Sequence, residues 1–159
     1  MLKIRIYTKK RHIEKIKNFC KDIGIDFEIY TISNDSTNTF ETTNFDGDDF
    51  DLGISYCYPR KILSPLLTAP KQGFINFHPG KLPEYKAPDQ SLKAIENKEV
   101  NWGVSVHEMN EKYDSGKIIE TLEIKLHEPP TDRKELMAIT HYFLFELFKN
   151  TLKKIIQQN

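Results

Sequence analysis

The chain has 159 residues, with 23 Lys and Arg balanced by 23 Asp and Glu, and two cysteines. That length can bury a core without disulfide or metal staples, and zero formal net charge gives no electrostatic case for a nucleic-acid backbone or an anionic membrane. No apolar run is long enough to span a bilayer, and the alternation Met1-Leu2-Lys3-Ile4-Arg5-Ile6 suits a strand rather than a signal peptide, so a cytoplasmic chain with reduced thiols at Cys20 and Cys57 is expected.

Residues 2–7 predict a first strand. Ile13, Ile16, Phe19, Cys20 and Ile23 then share one face of a helix that Gly24 stops. Residues 27–32 predict a second strand. The stretch 33–51 is rich in Asn, Asp, Ser and Thr, with Phe40, Phe45 and Phe50 its sizeable apolar residues, and predicts a long loop. Buried strands are expected at 52–56 and 73–77, joined by a short helix over 62–67 that Pro70 ends.

This alternation of strand and helix predicts a largely parallel sheet. Pro88-Asp89 opens a helix carrying Leu92 and Ile95. Residues 103–107 and 117–126 predict two more strands, antiparallel at the sheet edge. Asp132 and Glu135 form a capping pair ahead of a long helix bearing Leu136, Ile139, Phe143 and Leu147. With no internal repeat, the expectation is one α/β domain over residues 1–159, its mostly parallel sheet flanked by helices.

In Phe74-Ile75-Asn76-Phe77-His78-Pro79 the two-residue period of a strand puts Asn76 and His78 on one face and Ile75 and Phe77 on the other. Open α/β folds build their sites at the C-terminal edge of such strands. Downstream, a polar loop places Asp114 in a turn facing a pocket. Alone, Asp114-Ser115-Gly116 is an ordinary turn, and His78 is a strand-end histidine.

Two ordered motifs, Asn76-Phe77-His78-Pro79-Gly80-Lys81-Leu82-Pro83 and Asp114-Ser115-Gly116-Lys117-Ile118-Ile119, change that reading. Through them the sequence resembles the folate-dependent formyltransferase family, from about residue 52 to residue 126. The resemblance implies a Rossmann-like core and formyltetrahydrofolate as a donor consumed in the reaction. An acceptor amine would attack the formyl carbon, and the tetrahedral species would collapse to amide and tetrahydrofolate without a metal.

In that chemistry Asn76 donates to the developing oxyanion. His78 accepts a proton from the attacking ammonium or donates to the oxyanion, two roles that the sequence leaves open. Asp114 orients the imidazole or accepts a proton through water. The resemblance also implies folate contacts at Arg60, Ile62, Asn110, Glu111 and Tyr113. His107 lies in a strand, where histidines are more often structural, and stays outside the catalytic set. His12, His127 and His141 are scattered, without metal-ligand spacing.

Val106-His107-Glu108-Met109-Asn110-Glu111-Lys112 is most similar to enzymes that formylate amino-dideoxy sugars, which implies a nucleotide-linked amino sugar as acceptor. Tyr7-Thr8-Lys9-Lys10-Arg11 lacks the glycine-rich turn of phosphoribosylglycinamide formyltransferases. That acceptor stays the alternative, beside a catalytically weak protein that only binds folate or nucleotide sugar. No RNA-contacting domain is expected, so no tRNA partner. Lys86-Ala87 stands where the family often has Arg-Gly, and the region before Leu52 is short. Tyr142, Phe143, Phe145 and Phe148 on the last helix suggest a homodimer.

Overall fold

The computed structural model describes residues 2–31, 41–42 and 45–159. All five residues of β4 (Leu52–Tyr56) are buried, the pattern of a strand covered on both faces. It lies between β1 (Lys3–Thr8) and β6 (Phe74–His78), parallel to both. β1 also pairs in parallel with β2 (Asp26–Thr31). Beyond β6 the direction reverses: β7 (Asn101–Glu108) is antiparallel to β6, and β8 (Ile118–Lys125) is antiparallel to β7. The six strands run in the order β2-β1-β4-β6-β7-β8, which is the mostly parallel α/β sheet that the sequence predicts.

Helices α1 (Ile13–Asp22), α2 (Gln90–Glu96) and α3 (Arg133–Gln158) complete the fold. Gly24, at φ 68°, follows α1 in the left-handed conformation that glycine adopts without a Cβ penalty. Ile16 and Cys20 of α1 join Leu144, Leu147, Phe148 and Leu152 of α3 in one core against Ile54, Phe77 and Val104 of the sheet. Phe148 packs its ring 5.2 Å from Phe77 and 5.4 Å from Tyr56. Each such ring contributes roughly 1.5–3 kcal/mol through burial. Trp102, 1% exposed, donates from Nε1 to Thr140 Oγ1 at 2.9 Å, tying β7 to α3.

The other sheet face carries a second cluster, Tyr7, Phe50, Ile62, Leu66, Leu67 and Phe74. Arg5 is buried there despite its charge. Its Nε donates to Glu28 at 2.7 Å and its Nη1 to Asp46 at 2.8 Å, with the guanidinium over the Phe50 ring. Burial opposes that charge, but the two carboxylates prevail and hold its pKa above the usual arginine value.

Two expectations need correction. Residues 62–67 do not form a helix: β5 (Lys61–Ile62) pairs with β3 (Glu41–Thr42), and a 3-10 turn follows at Leu66–Thr68. Pro65, with no N–H to donate, interrupts any α-helical ladder across that stretch. The segment expected to be loop, 33–51, therefore contains a two-residue strand; residues 32–40 and 43–44 lie outside the described residues. The aromatic face of α3 is largely covered within the chain, since Phe143 and Phe145 pack against the core and Tyr142 alone of the four aromatics is markedly exposed, at 63%.

The capping pair forms as expected. Asp132 accepts the Glu135 N–H at 2.8 Å, satisfying one of the donors that the first turn leaves without a partner. Asp132→Ala is expected to destabilise the chain by about 1 kcal/mol, read as a lower urea midpoint in circular dichroism.

Candidate functional site

Strand β6 brings Asn76 and His78 to the sheet face opposite the α3 core, and the β6–β7 register sets His107 directly across from Asn76. The His107 ring contacts a backbone carbonyl at Nδ1, Glu108 O at 2.7 Å. A carbonyl only accepts, so Nδ1 carries the proton and Nε2 offers a lone pair. Asn76 meets that lone pair with Nδ2 at 3.1 Å. The contact fixes which end of the amide faces His107 and leaves the second Nδ2 hydrogen for another acceptor.

His78, 2% exposed, is held by the same logic. Its Nε2 lies 2.7 Å from Tyr85 O and must donate to it, so the exchangeable position of the neutral ring is Nδ1. Nδ1 is 3.5 Å from Asp114 Oδ1, and His107 Nε2 lies 3.5 Å from the same oxygen. A proton gained by either ring therefore sits beside the carboxylate.

Local backbone geometry puts Asp114 there. The residue has φ 48°, a region that aspartate tolerates better than most side chains. Ser115 Oγ donates to Asn110 Oδ1 at 2.9 Å, and Lys112 N–H donates to that same oxygen at 2.8 Å, which closes the loop on itself. Gly116 completes it, because a Cβ at that position would collide with Glu108 O. The Ala87 N–H holds the other carboxylate oxygen, Oδ2, at 2.9 Å.

Burial disfavours charge on both groups. It lowers the His78 pKa, outweighing Asp114 and the Tyr85 carbonyl, which raise it. It also opposes ionisation of Asp114, but His107, His78 and the Ala87 N–H together draw that carboxyl below the usual aspartate value.

The constellation opens on a cavity of about 530 Å³, within the range of small-molecule sites. Asn76, His78, His107 and Asp114 line it together with Arg60, Ile62, Asn110 and Tyr113. Of the residues expected from sequence, Glu111 does not line it and is exposed. Asn110 spends its side-chain oxygen on its own loop. His107 is the site member that the sequence reading set aside. Its signal was the Val106-His107-Glu108 run already singled out, which shares β6's edge only once the register is known.

A family model described as formyl transferase matches residues 37–147. The chain belongs to the formyl transferase family. Among curated relatives, the bifunctional polymyxin resistance protein ArnA of Wigglesworthia glossinidia brevipalpis is 34% identical over 112 residues, 68% of this chain and 17% of that protein. The chain thus spans a small part of that relative. Among solved structures, phosphoribosylglycinamide formyltransferase from Bacillus halodurans aligns at TM-score 0.76 and 18% identity, covering 97% of this chain and 95% of that one. The N-formyltransferase from Helicobacter canadensis, in complex with folinic acid and dTDP-3-aminofucose, aligns at TM-score 0.76 and 19% identity, covering 99% and 65%. Both share the formyltransferase fold with this chain.

The structure also corrects the picture of scattered histidines. His12 and His141 meet beside Cys57, which itself lines the cavity with His141. Burial, with help from nearby cations, lowers their pKa values to about 3 and about 4.

Each of these histidines binds a proton less readily folded than unfolded, so the unfolded chain takes up more protons below about pH 6.5 and stability falls on acidification. His78 contributes in the same direction, and Asp114, whose folded pKa is depressed, adds to the loss only at lower pH. The urea midpoint is expected to be lower at pH 5 than at pH 7. His78→Gln should shrink that difference; an unchanged pH dependence would show that His78 is not held neutral.

Proposed function

We propose that this chain transfers the formyl group of formyltetrahydrofolate to the amine of a nucleotide-linked amino-dideoxy sugar, with Asn76, His78 and Asp114 as the catalytic residues. The observation that carries the reading is the shared Asp114 oxygen, 3.5 Å from both imidazoles, beside an amide whose free N–H is fixed in direction. The acceptor nitrogen attacks the formyl carbon and a C–N bond forms. Negative charge develops on the formyl oxygen, where the second Asn76 N–H receives it, an interaction worth about 3 kcal/mol when preorganised.

The proton leaving the attacking nitrogen goes to His78 Nδ1, since Nε2 is committed to the Tyr85 carbonyl. Asp114 stabilises the resulting imidazolium. Collapse breaks the bond to the folate nitrogen, which takes that proton back and leaves as tetrahydrofolate. Arg60, Ile62, Asn110 and Tyr113 border the folate end of the cavity in this reading; Glu111, exposed outside the lining, would contact folate only at the rim.

The fold shared with the Helicobacter canadensis protein, whose complex holds a folate and an amino sugar nucleotide, supports the acceptor class. So do Lys9 and Arg11, which border the cavity where a diphosphate would need cations. Phosphoribosylglycinamide is the second acceptor, favoured by the alignment over 95% of the Bacillus halodurans chain. A cytoplasmic location goes with this reading; among the described residues no helix is long and apolar enough to cross a membrane.

The test is mass-spectrometric detection of formyl gain on nucleotide-linked amino sugars and on phosphoribosylglycinamide, each incubated with formyltetrahydrofolate. Product on an amino sugar is expected. Asn76→Ala should then lower kcat by roughly 10²- to 10³-fold with a smaller change in KM. Folate binding without product on any acceptor would mean a binding protein instead.

A further inference from the structure

We propose that His12, Cys57 and His141 form a binding site for a transition metal of the zinc class, at the edge of the cavity that Cys57 and His141 line together with the formyl-transfer residues. The three come from different elements. His12 ends the 3-10 turn Lys10–His12 after β1, Cys57 follows β4 directly at φ 51°, and His141 lies on α3. One ligand atom from each lies within 4.8 Å of the other two. Cys57 Sγ stands 4.0 Å from His141 Nδ1.

In a tetrahedral zinc site, bonds of about 2.0–2.1 Å to nitrogen and 2.3 Å to sulfur leave ligand atoms roughly 3.6 Å apart. The Cys57–His141 separation therefore needs to close by about half an ångström, within reach of small side-chain rotations.

His141 can offer Nδ1 to the metal. That atom faces the Cys57 sulfur, and Nε2, on the far side of the ring and buried with no hydrogen-bond partner among the described residues, would carry the ring proton. One thiolate and two imidazoles select zinc, cobalt or copper over magnesium or calcium, and three protein ligands leave a coordination position for water.

Against the site stand Lys9, Arg11 and Lys15, cations near enough to influence these groups, and Arg11 Nε donates to His12 Nε2 at 3.2 Å. Burial pushes the Cys57 thiol up to about 11 although these cations favour the thiolate, so the metal has to displace that proton. On binding, the metal replaces the Cys57 thiol proton, which leaves to solvent, and two imidazole lone pairs complete the ligand set. The ion would clip together the turn after β1, the end of β4 and α3.

The experiment is titration of metal-stripped full chain with Co²⁺, followed by absorption, together with thermal melts in Zn²⁺. A thiolate-to-cobalt charge-transfer band saturating at about one equivalent, and a raised Tm with Zn²⁺, are expected. Cys57→Ser should abolish the band and His141→Gln the Tm rise, whereas His127→Gln, at an exposed position, should keep both. A wild-type chain with no band, or cobalt binding retained in both site variants with native circular dichroism, overturns the proposal. Neither readout involves formyl transfer, so the outcome stands apart from the catalytic reading.

Discussion

The register between β6 and β7 is the constraint on which the rest of the site depends. Ile75 and Phe77 point into the core while Asn76 and His78 point into the cavity, and Asn76 faces His107 across the ladder. A slip of one residue would exchange the two sets, turning two polar side chains into the apolar core and two apolar ones toward the cavity. Phe77 opposes that slip, because it is fully buried and its ring packs between Tyr56 and Phe148. The core face thus sets the geometry of the polar face, and α3 bears on the site through the packing of Phe148 on Phe77.

What that register cannot supply is a negative charge, and the loop after β7 brings one. Asp114 keeps a nearly buried carboxylate, its side chain 6% exposed, which costs free energy unless it is hydrogen-bonded. The Ala87 N–H donates to it, either imidazole can do so once it gains a proton, and Gly116 permits the approach to Glu108 that aims the loop. The conformation and the charge therefore support one another: without the tight turn the carboxylate would lie in water, and without its partners it would not stay buried.

Much of this was legible in the sequence because it is local. The period of two in β6 assigned Asn76 and His78 to one face, and hydrophobic spacing found α1 and α3. His107 was not legible as a site residue, because its role comes from a cross-strand pair 31 residues away in the chain, and strand periodicity says nothing of register. The approach of His12, Cys57 and His141 is less visible still, since it needs the packing of α3 over the end of β4. The error over residues 62–67 arose differently: apolar residues around Pro65 suggested a helix, while the pairing of β5 with β3 depended on a partner strand in a polar segment. Burial of Arg5 likewise needed Glu28 and Asp46 from elsewhere in the chain.

One departure from the family pattern takes on a definite meaning in this geometry. Lys86-Ala87 replaces the Arg-Gly that often follows the motif, and a side-chain reading would count that as damage to the site. Ala87, however, serves Asp114 through its backbone N–H, which any residue except proline provides. Pro88 comes one position later, where its missing N–H does not touch this contact and its ring restricts Ala87 to extended conformations. The replacement therefore leaves the hold on the carboxylate intact and changes only what the exposed Lys86 and Ala87 side chains present, Ala87 at the cavity; in the proposed reaction its effect falls on recognition of the acceptor rather than on the proton transfer.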